Sequence, residues 1–148
     1  MRITTRGRYA LRASLALAKL GSNGEPVSIN SLSEKENISS VFLEQIFFKL
    51  RKAGIVTSIR GPGGGFCFAK ALDKMTVKEI LDAAGEELEL TLCDKSNDTC
   101  DRIGQCLSHN VLSEVHVLLK DYFSDLTIAS ILEKYKDITI DPEAEKHV

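Results

Sequence analysis

The sequence predicts a mainly α fold with a small β-hairpin wing, a winged helix-turn-helix domain followed by a long C-terminal dimerisation helix. Three observations predict it. Two neighbouring segments carry apolar residues at helical spacing and are joined by a short polar turn, the second stopping at Gly54. Two short alternating runs, rich in β-branched and aromatic residues, then flank a loop at 61–65 that is glycine apart from Pro62. Further on, Leu112, Val115, Leu119, Tyr122 and Leu126 follow one another in steps of 3, 4, 3 and 4, the spacing of a seam between helices.

The elements follow in order. Residues 5–20 form a helix whose apolar face (Tyr9, Leu11, Ala13, Leu15, Ala16, Leu17, Ala18 and Leu20) is broken by Arg12 and Lys19. Thr4 or Thr5 supplies its N-cap oxygen and Gly21 ends it. A turn at 21–26 leads to Val27, a short strand, and 28–35 forms the first helix of the reader, with Ile29 and Leu32 inward. Residues 36–38 make a tight connector. Ser39 or Ser40 caps the second helix, which runs to Ala53 with Leu43, Ile46, Phe47 and Leu50 inward. Residues 55–60 and 66–68 are the two strands of the wing.

Thr76 and Glu79 form a capping box for a helix at 76–84, ended by Gly85. Residues 86–92 are irregular, and the long helix spans 109–126. Thr127 caps a last helix at 128–135, and the polar stretch beyond it holds Pro142. The organisation is a winged helix-turn-helix domain at 1–85, a ligand-bearing loop at 86–110, dimerisation helices at 111–136 and a loose tail at 137–148. The long helix needs a partner for so wide an apolar face, and the same helix of a second copy supplies one.

The net charge of −2 conceals a division. Residues 1–70 carry 11 Lys and Arg against 4 Asp and Glu, a net of +7, while residues 71–148 carry 8 against 17, a net of −9. A basic reader points to a polyanionic partner, double-stranded DNA. Arg6, Arg8, Lys49, Arg51, Lys52 and Arg60 are candidates for phosphate contacts. Ser39, Ser40, Glu44 and Gln45 lie near the start of the second reader helix, where base edges would be met; Gln reads adenine and Glu accepts from cytosine. Arg60 with Gly61, Pro62, Gly63 and Gly64 forms a wing tip suited to the minor groove. No apolar run approaches the ~20 residues of a membrane span, and the basic N-terminus lacks a signal peptide's apolar core. The expected location is the cytoplasm, with no membrane partner.

Residues 93–109 read C-DKSNDT-C-DRIGQ-C-LS-H, with Ile103 the single apolar residue between the cysteines. Such a stretch buries little and cannot hold one shape unaided. Cys93, Cys100, Cys106 and His109 offer three soft thiolates and an imidazole, a donor set for a metal or cluster. A Cys₃His zinc site uses the same atoms, although structural zinc favours close Cys-x₂₋₄-C pairs and the gaps here are six and five. A metal-free thiol switch is the third reading. Cys67, alternating with Phe66 and Phe68, reads as a small buried residue. His116 reads as packing or surface, and His147 as tail. No Gly-Lys-Ser/Thr follows the glycine loop, so it is not a phosphate-binding loop. Neither a serine–histidine–carboxylate set nor a credible carboxylate pair occurs, so nothing supports an enzyme.

Four stretches carry a resemblance: Gly7-Arg-Tyr-Ala10, Phe42-Leu-Glu-Gln-Ile-Phe47, Leu50-Arg-Lys-Ala-Gly54 and Ile59-Arg-Gly-Pro-Gly-Gly-Gly-Phe66. They resemble the Rrf-type winged-helix regulators of bacteria, and the late Cys…Cys…Cys-x-x-His resembles the iron–sulfur regulators of that family, over roughly residues 1–135. The resemblance implies a homodimer binding a two-fold DNA site, with a [2Fe-2S] cluster on Cys93, Cys100, Cys106 and His109 of each chain. It also implies the iron–sulfur assembly machinery as cluster donor, cluster-assembly genes among those controlled, and a role for Glu44 in how the cluster changes site choice. Six residues separate Cys93 from Cys100, one more than the resemblance leads one to expect. Where other members of the family use an acidic ligand from the first helix, this chain has Arg6, Arg8 and Arg12, which cannot ligate.

Overall fold

Thr4 starts the first helix by accepting the Gly7 amide on its hydroxyl, and Gly21 closes it through its amide to the Leu17 carbonyl. The computed structural model describes residues 2–91, 93 and 100–139. Helix α1 (Thr5–Leu20) buries Ala10, Ala13, Ala16 and Leu17, small enough on one side for other helices to approach closely. Helix α2 (Ile29–Glu36), capped by Ser28, and helix α3 (Ser40–Lys52), capped by Ser39, form the helix-turn-helix. Asn37 makes the turn between them in the left-handed region at φ 51°, a conformation Asn tolerates better than most residues. The four inward positions expected on α3, Leu43, Ile46, Phe47 and Leu50, are all fully buried.

Strands β1 (Val56–Ile59) and β2 (Gly65–Phe68) pair antiparallel, with Val56 opposite Phe68 and Ile59 opposite Gly65. Val27 adds a one-residue bridge to Phe66 through paired backbone hydrogen bonds of 2.9 and 2.8 Å. Phe66 rests on Phe47 with ring centroids 4.9 Å apart, which fixes the wing to α3. Helix α4 (Val77–Ala84) has the expected Thr76–Glu79 capping box.

Helix α5 (Leu107–Asp125) begins two residues before the sequence expectation, after a 3₁₀ turn at Ile103–Gln105 that periodicity did not reveal. Helix α6 (Ile128–Lys134) follows at once behind Thr127. The sequence groups it with the long helix, but Ile128 is fully buried in the reader's core, and its amide bonds the Met75 carbonyl at 2.9 Å. The Val77 amide bonds the Leu126 carbonyl at 2.9 Å, so the chain leaves the reader after α4 and returns to it at α6.

A second small core joins α5 to α4: Val77, Leu81 and Leu88 are buried, with Phe123, Leu126 and Ile131 packed against them. The apolar stripe of α5 is therefore divided. Phe123 and Leu126 serve their own domain, while Val111, Leu112, Val115, Leu118 and Tyr122 remain exposed. No helix among the described residues is long and apolar enough to cross a membrane. The expected loose tail is described only as far as residue 139, where the Ile138 carbonyl accepts Lys19 Nζ at 3.1 Å; residues 140–148 lie outside the described residues.

Candidate nucleic-acid interface and cysteine site

Helix α3 presents Glu44 and Gln45 to solvent one turn from its start, with Arg51 and Lys52 exposed at its C-terminal end. Ser39 is the residue that caps the helix, its hydroxyl accepting the Phe42 amide at 3.2 Å, while Ser40 is half-buried as the first helical residue. Arg51 holds α3 against the wing: Nη1 lies 3.4 Å from Ser58 Oγ and the guanidinium stacks 5.8 Å from the Phe48 ring centroid. Arg60, Gly61, Pro62 and Gly63 are exposed at the wing tip, and Gly64 is half-buried. Gly63 is left-handed at φ +73°, which a glycine adopts without strain.

Arg8 is exposed with its guanidinium 5.5 Å from the Tyr9 ring centroid, and Arg12 stacks on the same ring at 5.4 Å. Arg6 and Lys49 are half-buried and converge at the end of α4: a Cβ on Gly85 would lie 3.5 Å from Arg6 Nη2 and 3.6 Å from Lys49 Nζ. The negative end of α4's dipole favours cations there.

Three features escaped sequence reasoning. Val41 and Phe48 stand out from α3, 65% and 58% exposed, and are apolar positions outside the buried stripe; that mismatch was the available signal. Glu36, read as a connector, is buried and pairs with Arg12 at 3.0 Å, while Arg12 Nη2 donates to its carbonyl at 2.7 Å. Glu86 is buried over the start of α1, its carboxylate accepting the Thr4 amide at 3.0 Å and the Thr4 hydroxyl. Burial pushes the Glu86 carboxyl up, but the hydrogen bonds from Thr4 and the Gly7 amide, aided by the Arg6 charge, outweigh it and hold the group below the usual carboxylate range.

Of the cysteine set, Cys93, Cys100, Cys106 and His109 are all half-buried. Cys106 is the N-cap residue of α5 and His109 lies in its first turn, where the sequence expectation starts the long helix. The Cys106 thiol is held below its ordinary value by the Ser108 hydroxyl, 3.1 Å away, then by the His109 amide, as befits a thiol at a helix start. His109 Nε2 is 3.5 Å from Ser113 Oγ. Residues 94–99, which join Cys93 to Cys100, lie outside the described residues. Among the described residues no three His, Cys, Asp or Glu side chains converge as a metal-holding group.

His116 proves to be packing: its Nδ1 donates to the Leu88 carbonyl at 3.1 Å. Cys67 departs from expectation. It is half-buried, not buried, with Sγ 3.3 Å from Thr57 Oγ1, because it lines a cleft between β2 and the end of α1, beside Leu17, Ala18 and Gly21.

The family model described as Rrf2, iron-dependent transcriptional regulator, matches residues 3–134. The chain belongs to the Rrf2 family. Members of the Rrf2 family are DNA-binding transcription regulators, not enzymes, and DNA is the partner of this chain. The chain is 35% identical over 140 residues to the regulator IscR of Erwinia tasmaniensis, covering 95% of this chain and 84% of that one. Among solved structures it is similar to IscR of T. potens, with a TM-score of 0.74 and 25% identity over 98% of this chain and 96% of that chain. It is comparably similar to CymR, the global cysteine regulator of B. subtilis, with a TM-score of 0.72 and 27% identity over 90% of this chain and 98% of that chain.

Proposed function

We propose that this Rrf2 regulator is a homodimer whose choice of DNA site is set by a [2Fe-2S] cluster on Cys93, Cys100, Cys106 and His109. The observation that carries the reading is the place of two of these ligand candidates: Cys106 immediately precedes α5 and His109 sits in its first turn. Anything that binds them acts directly on the start of the long helix. The donor chemistry fits, since three thiols and an imidazole favour iron and the Cys106 thiol is already biased toward thiolate. When bound, such a cluster supplies an exchangeable, oxidisable centre, and a histidine in place of a cysteine raises its potential.

The rest of the work is done by the chain. The exposed face of α5 (Val111, Val115, Leu118, Tyr122) meets the same face of a second copy. Phe123 packs α5 onto α4, and His116 ties it to Leu88, beside Glu86 on the start of α1. A change at the start of α5 thus reaches the reader through buried contacts. It shifts the spacing of two reader heads only as far as the cluster binds one pose better than the other. In the DNA complex, Arg8, Lys49, Arg51 and Arg60 hold phosphates, Ser39, Ser40, Glu44 and Gln45 face base edges, and Gly61, Pro62, Gly63 and Gly64 enter the minor groove. The iron–sulfur assembly machinery supplies the cluster, and its genes are among those controlled.

Anaerobic purification with a visible spectrum and iron and sulfide analysis tests the cluster. About two irons and two sulfides per chain are expected, lost in Cys100→Ala. A colourless, iron-free protein would overturn it. That outcome would leave the second reading, a cluster-free regulator controlled through its thiols, zinc or a protein partner, which the likeness to CymR favours. Zinc analysis then separates metal from thiol.

A further inference from the structure

The outward face of α3 is not simply polar. Val41, Glu44, Gln45, Phe48 and Lys52 fall at i, i+3, i+4, i+7 and i+11, one stripe of the helix opposite Leu43, Ile46, Phe47 and Leu50. Its two apolar members are large and open, with Val41 65% and Phe48 58% exposed. Single exposed apolar residues need no explanation. Two on the face that the helix-turn-helix turns toward DNA, alternating with Glu44 and Gln45, call for one. Phe48 is also held in place, with Arg51 stacked on its ring at 5.8 Å and bonded onward to Ser58 of the wing.

The charges around the stripe select the occupant. Lys52 ends it, Lys49 and Arg51 flank it, and Asp82 of α4, which lines the same surface depression, is paired with Lys78. Glu44 is the one acidic side chain on the stripe, and a carboxylate there repels phosphate while accepting from the cytosine amino group. An apolar partner inside a polyanion is what remains, and the major groove of duplex DNA has one such group, the C5-methyl of thymine.

We infer that Val41 and Phe48 are specificity residues that each take up a thymine methyl group in the major groove. The inference rests on α3 being the reading helix. Seven residues of helix rise about 10.5 Å, about three base-pair steps. The two thymines therefore stand about three steps apart in each half-site, with the bases met by Glu44 and Gln45 between them.

The test uses the full chain. A duplex is first selected from a random pool, and each thymine is then replaced in turn by deoxyuridine, which removes the methyl and nothing else. Burying one methyl-sized group corresponds to about a fourfold change in affinity, so a fourfold loss is expected at two positions per half-site. Phe48→Ser abolishes the loss at one of them and Val41→Ser at the other, with the remaining positions unchanged. Both side chains are exposed, so neither variant disturbs the core, and the deoxyuridine series on the unmodified protein needs no variant. If no thymine pays a methyl penalty, or if the penalties persist in both variants, the inference is overturned. If no sequence is enriched at all, the assignment of α3 as the reader fails with it; an enriched site with silent deoxyuridine defeats the methyl contact alone.

Discussion

The carboxylate of Glu86 accepts the backbone amide of Thr4 at 3.0 Å and its hydroxyl as well. It thereby closes the open end of α1 with a residue 82 positions away, in the segment that leads to the cysteines. Gly7 makes this possible, because a Cβ there would lie 2.3 Å from Glu86 Cγ. Glu86→Gln is expected to cost about 1–3 kcal/mol at neutral pH, and Gly7→Ala a similar amount through overpacking against an anchored side chain. Urea unfolding at fixed pH measures both.

The same carboxylate gives the protein an acid-sensitive component. Its pKa is depressed in the folded state, so the stability it contributes is fully present above the unfolded value of about 4.3 and is lost as pH falls through the lower folded value. The Glu79 carboxyl shifts the same way, since bonds from Lys70 and Thr76 outweigh its burial. Stability followed from about pH 6 down to about pH 3 falls more steeply in the unmodified protein than in Glu86→Gln. Parallel curves would assign the acid response to other groups.

Arg12 and the buried Glu36 form an ion pair between α1 and α2. Glu36 is 2% exposed and Arg12 bonds both its carboxylate and its carbonyl. Arg12→Met strands a carboxylate in the core and is expected to cost about 3–5 kcal/mol. The double variant Arg12→Met, Glu36→Leu recovers most of it, because replacing both partners of a buried pair is often close to neutral. Thermal unfolding of the set reads the coupling.

Two wing glycines are predicted to behave differently. A Cβ on Gly65 would lie 2.2 Å from the Val27 carbonyl oxygen, a backbone atom that cannot swing away. Gly65→Ala therefore breaks the Val27–Phe66 bridge and lowers stability by several kcal/mol, about the upper range for overpacking. At Gly63 an added Cβ meets nothing within 4 Å, and the cost is that of a left-handed φ of +73° alone, about 1 kcal/mol.

How much was legible in the sequence follows the same division between local and distant causes. The caps at Thr4, Ser39 and Thr76, the stops at Gly21 and Gly85, and the buried stripe of α3 depend on residues within a turn or two of one another, and periodicity with capping rules finds such features. Glu86 on Thr4 and Arg12 on Glu36 join elements far apart in the chain, and no local pattern announces them. The division of α5 was hidden for a related reason. A heptad stripe tells that a face is apolar, not which part meets the chain's own α4, as Phe123 does, and which is left open, as Leu118 is. Cys106 and His109 could be picked as ligand-type residues and the long helix could be started at His109, but the place of Cys106 as its N-cap residue came from the fold.

The open part of that stripe is the basis for a prediction about assembly. Leu118 is 68% exposed, with Val111 two turns before it and Tyr122 one turn after it, both exposed. Leu118→Glu is expected to leave the domain folded and to convert the proposed homodimer to a monomer at micromolar concentration, as read by sedimentation equilibrium of both proteins with circular dichroism unchanged. A dimer that persists in this variant would remove α5 as the seam.

Cluster control of DNA binding is tested most directly by titrating the selected duplex, without air, with the loaded protein and with the same preparation after its cluster is removed. Affinities that differ by about tenfold or more are expected, within the usual range for coupled sites, together with a different set of enriched sequences for the two forms. Superimposable titrations and identical enriched sequences would contradict it, and would leave an Rrf2 DNA binder whose cysteines serve another purpose.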